Sequence, residues 1–106
     1  MMEHKKQGPL LGIQGTYEGE ERNGLAHGKG TAKLANGVRY EGDFAFGRPQ
    51  GRGVLHFRKG GHYEGQFYVG EFSGLGKIVL PDGNEIEGLF QRNKPNGRCK
   101  EKMPDG

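Results

Sequence analysis

The stretch Tyr40-Glu41-Gly42-Asp43-Phe44-Ala45-Phe46-Gly47-Arg48-Pro49-Gln50-Gly51-Arg52-Gly53-Val54-Leu55-His56-Phe57-Arg58-Lys59-Gly60 decides the fold. Tyr40 to Phe44 alternates large and polar residues as a strand does, and Val54 to Phe57 after Gly51-Arg52-Gly53 gives a second strand. Outward from this stretch the pattern repeats. Tyr17-Glu18-Gly19 and Tyr63-Glu64-Gly65 flank it at a spacing of 23 residues, and an altered copy, Ile86-Glu87-Gly88, follows at the same spacing. Gly24, Gly47 and Gly70 keep step, with Asn93 fourth. So do Gly28, Gly51, Gly74 and Gly97, and Gly30, Gly53 and Gly76 with Cys99 fourth. A fixed period of this length marks a repeat architecture, and glycine in phase excludes low complexity.

Between units stand Ala35-Asn36-Gly37, Arg58-Lys59-Gly60 and Pro81-Asp82-Gly83. Each fits a three-residue hairpin, a type I turn closed by a glycine bulge. That loop length predicts a register with Ala32 facing Tyr40, Leu55 facing Tyr63, Ile78 facing Ile86 and Lys77 facing Glu87. A two-residue loop would scatter the apolar residues over both faces. One face then carries Tyr17, Ala32, Leu34, Tyr40, Phe44, Leu55, Phe57, Tyr63, Phe67, Ile78, Leu80, Ile86 and Phe90. The other carries Glu18, Lys33, Glu41, Arg52, Glu64, Lys77 and Glu87, with Lys77 and Glu87 expected as a cross-strand ion pair. The expected fold is all-β: a single-layer antiparallel meander of stacked hairpins, two strands per repeat. The array occupies residues 17–106 in units 17–39, 40–62, 63–85 and a degenerate 86–106. Residues 1–16 form an N-terminal segment in which Leu10 to Ile13 either adds a capping strand or docks elsewhere.

Composition agrees. The 106 residues allow one domain, and 22 of them are glycine against 31% hydrophobic, with no tryptophan. That is too little apolar surface for a thick two-layer core. The net charge of +3 mixes 16 basic with 13 acidic residues, so no nucleic-acid partner is expected. The lone Cys99 allows no internal disulfide and points to an intracellular, cytoplasmic setting. No apolar run approaches the ~20 residues of a membrane span.

Taken together, Tyr-Glu-Gly-x-Phe, the Gly-x-x-x-Gly-x-Gly spacing and the closing Asn/Asp-Gly resemble the MORN repeat (membrane occupation and recognition nexus), over roughly Tyr17 to Gly106. The resemblance implies a ribbon of hairpins without catalytic residues or cofactor. It also implies scaffolding by protein binding, self-association or phospholipid contact, with cytoskeletal or ciliary association by analogy. Departures are Glu21 where Phe44 and Phe67 stand, and Ile86, Asn93 and Cys99 in the fourth unit. That unit is read as a terminal cap or as the point where a longer array is cut.

Chemistry-bearing motifs are few. Gly24 to Thr31 superficially resembles a phosphate loop, but it is one residue short and Gly30 separates Lys29 from Thr31. His56 facing His62 lacks a third metal ligand. Ser73 has no nucleophile elbow around it. No catalytic or metal site is therefore expected. The expected partner-binding residues are Tyr17, Tyr40, Phe44, Leu55, Phe57, Tyr63, Phe67, Ile86 and Phe90. They pack a thin sheet and, because one layer leaves a face uncovered, offer a groove to an extended or helical peptide. Sheet ends invite a second copy. The alternative is a peripheral adaptor holding anionic phospholipid through Arg92, Lys94, Arg98, Lys100 and Lys102.

Overall fold

The computed structural model describes residues 9, 10 and 14–103, with Gly97 and Arg98 by backbone alone. Eight strands follow in chain order: β1 (Gly15–Arg22), β2 (Leu25–Leu34), β3 (Arg39–Ala45), β4 (Arg48–His56), β5 (His62–Tyr68), β6 (Glu71–Val79), β7 (Glu85–Gln91) and β8 (Lys94–Lys102). Among the described residues they form one antiparallel sheet in sequence order, as the repeat predicts. Of the N-terminal segment, Leu10 is buried in the apolar cluster and the Pro9 carbonyl accepts the Ala26 N–H at 2.6 Å. Leu11 to Ile13 lie outside the described residues.

The turns between units are the expected three-residue loops. Gly37 N–H donates to Leu34 O at 3.0 Å, Gly60 to Phe57 at 3.2 Å and Gly83 to Leu80 at 2.9 Å. Asn36 and Asp82 side chains accept from the N–H two residues on, at 3.0 and 2.9 Å. The register follows: Ala32 opposes Tyr40, Leu55 opposes Tyr63 and Ile78 opposes Ile86. Lys77 does face Glu87, but its ammonium lies 3.6 Å from Glu85 instead. Register fixes which backbones oppose, while a long flexible side chain settles on a diagonal carboxylate.

Inside each unit the ladder is interrupted. In the first, His27 to Lys29 pass a single residue, Glu20, and the same irregularity recurs at Asp43, Gln66 and Leu89. Such an insertion strands backbone polar groups, which must be paired elsewhere. The Glu20 carboxylate accepts Lys29 N–H at 2.7 Å, Asp43 accepts Arg52 N–H at 3.2 Å and the Gln66 amide oxygen accepts Leu75 N–H at 3.0 Å. The opposite carbonyl is met by tyrosine. Tyr17 donates to Glu20 O, Tyr40 to Asp43 O at 2.7 Å and Tyr63 to Gln66 O at 2.9 Å. To reach there each ring lies across the diagonal glycine of the paired strand, so that a Cβ on Gly30, Gly53 or Gly76 would overlap the phenol.

This geometry explains the paired departures in the fourth unit. Ile86 has no hydroxyl, and the Cys99 thiol donates to Leu89 O at 3.1 Å in its place. With no ring above it, position 99 has room for a side chain. Ile86→Tyr alone is expected to lower stability by about 1–3 kcal/mol through overpacking against Cys99, and Cys99→Gly beside it to recover most of that loss. Urea unfolding of the two single variants and the double variant checks this; purely additive effects would contradict it.

Candidate functional site

The aromatic residues of the apolar face interlock as one line. Tyr17 meets Phe44 edge-on at 5.1 Å, Tyr40 meets Phe44 at 5.0 Å and Phe67 at 4.9 Å, and Tyr63 meets Phe67 and Phe90 at 5.2 Å each. Edge-to-face pairs at these separations add about 0.5–1.5 kcal/mol each beyond burial. Phe72 stacks flat on Tyr63, centroids 3.8 Å apart and planes within 6°. As a result Tyr40, Phe44, Tyr63, Phe67 and Phe90 are buried. The accessible part of the face is the half-buried set around them: Tyr17, Leu34, Leu55, Phe57, Ile78 and Ile86. The residues expected to bind a partner thus divide into an inner core and an outer row.

Phe72 and Ala26 also belong to the core and were not foreseen, and Leu10, from the segment expected to cap or dock, joins them. Phe72 and Ala26 share a repeat position with Pro49 and Pro95, and a mixture of Ala, Pro and Phe shows no pattern. A groove of about 350 Å³ opens over the second unit, bordered by Leu10, Leu34, Leu55, Arg48, Pro49 and Val69. The Arg48 Nε is shut off from solvent without a hydrogen-bond partner.

The turns inside units form a second feature. Both central residues of each have positive φ: Asn23 54° with Gly24 81°, Phe46 51° with Gly47 85°, Val69 47° with Gly70 83°, and Arg92 51° with Asn93 69°. That is the type I′ geometry, which favours Asn-Gly. Phe46 and Val69 are misfits there, and both are exposed, at 69% and 44%. A bulky residue directly before the lattice glycine was the sequence signal for them.

Burial first, then the Asp43 charge, pushes the Tyr40 phenol far above its usual range, and burial raises Tyr63. Raised acids lend stability that is complete below the unfolded value of about 10 and is lost as pH rises past it. Sheet signal by circular dichroism and phenolate absorbance should therefore change together above about pH 10. In a Tyr68→Phe variant, which removes the exposed phenol, more phenolate than the half-buried Tyr17 alone can supply, appearing while the sheet stays intact, would contradict the burial of these rings. Asp43 moves the other way, held low by the Lys29 ammonium.

On the polar face His56 and His62 stand opposite, rings 5.9 Å apart, and burial followed by Arg39 depresses His56. Among the described residues no three His, Cys, Asp or Glu side chains gather as metal ligands. Arg92, Lys94, Lys100 and Lys102 are exposed, and the Arg98 side chain lies outside the described residues. Lys100 opposes Glu87 and Lys102 opposes Glu85, so acidic residues interleave the basic ones. No described helix is long and apolar enough to cross a membrane.

A family model, the MORN repeat, matches residues 17–39, 40–62, 63–85 and 87–106. Comparison with curated proteins gives no match.

Proposed function

The chain belongs to the MORN-repeat family, and on that premise we propose that it is a non-enzymatic interaction scaffold, holding a segment of a partner protein on the apolar face of its ribbon. MORN repeats occur in interaction and membrane-associated proteins and are generally non-enzymatic modules. The observation that carries the reading is the half-buried row of Leu34, Leu55, Phe57, Ile78 and Ile86 beside an open groove, above rings already committed to the core. Among the described residues no second layer of strands or helices covers this row, and apolar surface of this kind is the usual seat of an extended or helical peptide. A photoreactive benzoylphenylalanine at Phe57, with the same residue at Arg52 on the polar face as control, tests this in cells. A defined protein adduct at 57 and none at 52 is expected. Equal labelling at both positions, or none, would sink the proposal.

The other reading, a peripheral adaptor for anionic phospholipid, draws on the exposed Arg92, Lys94, Lys100 and Lys102. Glu85, Glu87 and Glu101 dilute that field, and each basic residue near a charged surface adds at most about 1 kcal/mol. Co-sedimentation with phosphatidylserine vesicles is expected at low salt and lost near physiological salt. Retention at physiological salt would reverse the ranking of the two readings.

A further inference from the structure

The groove over the second unit exists because two repeat positions are small there. Pro49 of the second unit stands where the third has Phe72, and Leu34 of the first stands where the second has Phe57. In the next unit Phe72 stacks on Tyr63 and lies 6.4 Å from Phe57, so the chain fills that volume with its own rings. Over the second unit about 350 Å³ stays open, a size at the lower end for ligand pockets.

Two independent features of its wall point to an occupant. Arg48 borders the groove with its Nε out of contact with solvent and without an acceptor. A guanidinium N–H in that state is destabilising until an acceptor reaches it. No ion pair among the described residues includes Arg48. Next to it Val69, in the turn whose Gly70 N–H donates to Pro49 O at 2.9 Å, holds φ at 47°, where the first unit has Asn23 at 54°. A β-branched residue is a real outlier in that region, and such strain gathers at functional sites. The groove therefore keeps an apolar lip at the expense of backbone ease, beside a guanidinium whose Nε lacks an acceptor.

We infer that this groove receives an apolar side chain of a partner polypeptide with a neighbouring carboxylate, and that Arg48 is the anion receptor. The inference rests on the reading that the apolar face holds a protein. A peptide fits better than a small acid because the groove borders Leu55, and through it the half-buried row that an extended segment would follow.

The test is ¹⁵N-¹H spectra of the whole chain titrated with N-acetyl-Glu-Phe-amide and N-acetyl-Gln-Phe-amide. The Glu peptide is expected to shift the amides of Arg48, Leu55 and Val69 and to bind about fivefold more tightly than the Gln peptide, the difference a charge-assisted bond at a partly open site allows. Arg48→Gln should remove that preference while leaving the remaining spectrum in place. Val69→Asn should raise the thermal midpoint and weaken both peptides. Equal binding of the two peptides in the groove of the wild type would overturn the anion receptor and leave the apolar-face reading standing. Shifts confined to other surfaces, or none, would overturn this inference, and the Phe57 adduct would then decide the broader reading alone. Decanoate shifting the same amides at lower concentration than either peptide would assign the groove to an acyl carboxylate and overturn the polypeptide assignment.

Discussion

Gly53→Ala and Gly76→Ala are each expected to remove about 3 kcal/mol of stability, enough to unfold a large part of a marginal single-layer protein at 37 °C. The added methyl occupies space that the Tyr40 or Tyr63 phenol already holds. Neither ring can step aside. Tyr40 is bound through its hydroxyl to Asp43 O and wedged between Phe44 and Phe67, and Tyr63 is bound to Gln66 O and sandwiched against Phe72. The backbone does not require glycine at these two positions, since neither has positive φ; the overlying ring does. Gly70→Asn provides the contrast. Its φ of 83° is one that asparagine tolerates, and a Cβ there meets nothing within 4 Å. It should change stability by less than about 0.5 kcal/mol. Urea unfolding of the three variants checks the ordering, and a mild effect of Gly76→Ala would mean that the ring is not fixed where it lies.

Tyr63→Ala is expected to cost about 3–5 kcal/mol, the range for removing a large buried aromatic side chain. Tyr63 is fully buried and ties the third unit to the fourth through Phe67, Phe72 and Phe90. Tyr63→Phe keeps those contacts and leaves the Gln66 carbonyl without its donor, so the expected cost is about 1 kcal/mol. Tyr17→Ala should cost clearly less than Tyr63→Ala, because Tyr17 is half-buried and, among the described rings, meets Phe44 alone. Similar losses for Tyr17→Ala and Tyr63→Ala would contradict an aromatic line whose strength lies in its middle.

Much of this fold is legible in the sequence because its determinants are local. Asn36-Gly37 and Pro81-Asp82-Gly83 specify three-residue turns, and those turns set Ala32 against Tyr40 and Ile78 against Ile86. The 23-residue spacing of Tyr17, Tyr40 and Tyr63 then carries one hairpin geometry down the chain. Depth of burial is another matter. Alternation says which face Tyr40 occupies, but its near-complete burial depends on the irregular ladder at Asp43 and on rings from neighbouring units. The roles of Glu20, Asp43 and Gln66 were hidden because three different side chains perform one task, accepting an N–H stranded by the irregularity. Phe72 was hidden because its repeat position tolerates Ala26 and Pro49; only the structure shows that ring size there decides whether a unit is filled or open. On the apolar face, the sequence joined buried and accessible residues in one stripe. Tyr40 and Tyr63 are buried within the sheet's core, and Leu55, Phe57 and Ile86 stay half-buried beside it.

That division is most directly tested by measuring the thermal midpoint and the retention of the Phe57-crosslinked partner side by side for Leu55→Ser with Ile78→Ser. Both residues are half-buried and outside the ring line. The expected result is a protein that still unfolds cooperatively, its midpoint lower by about 5–10 °C, and that has lost most of its partner binding. A folded double variant that retains its partner in full would contradict the assignment of the apolar row as the binding surface.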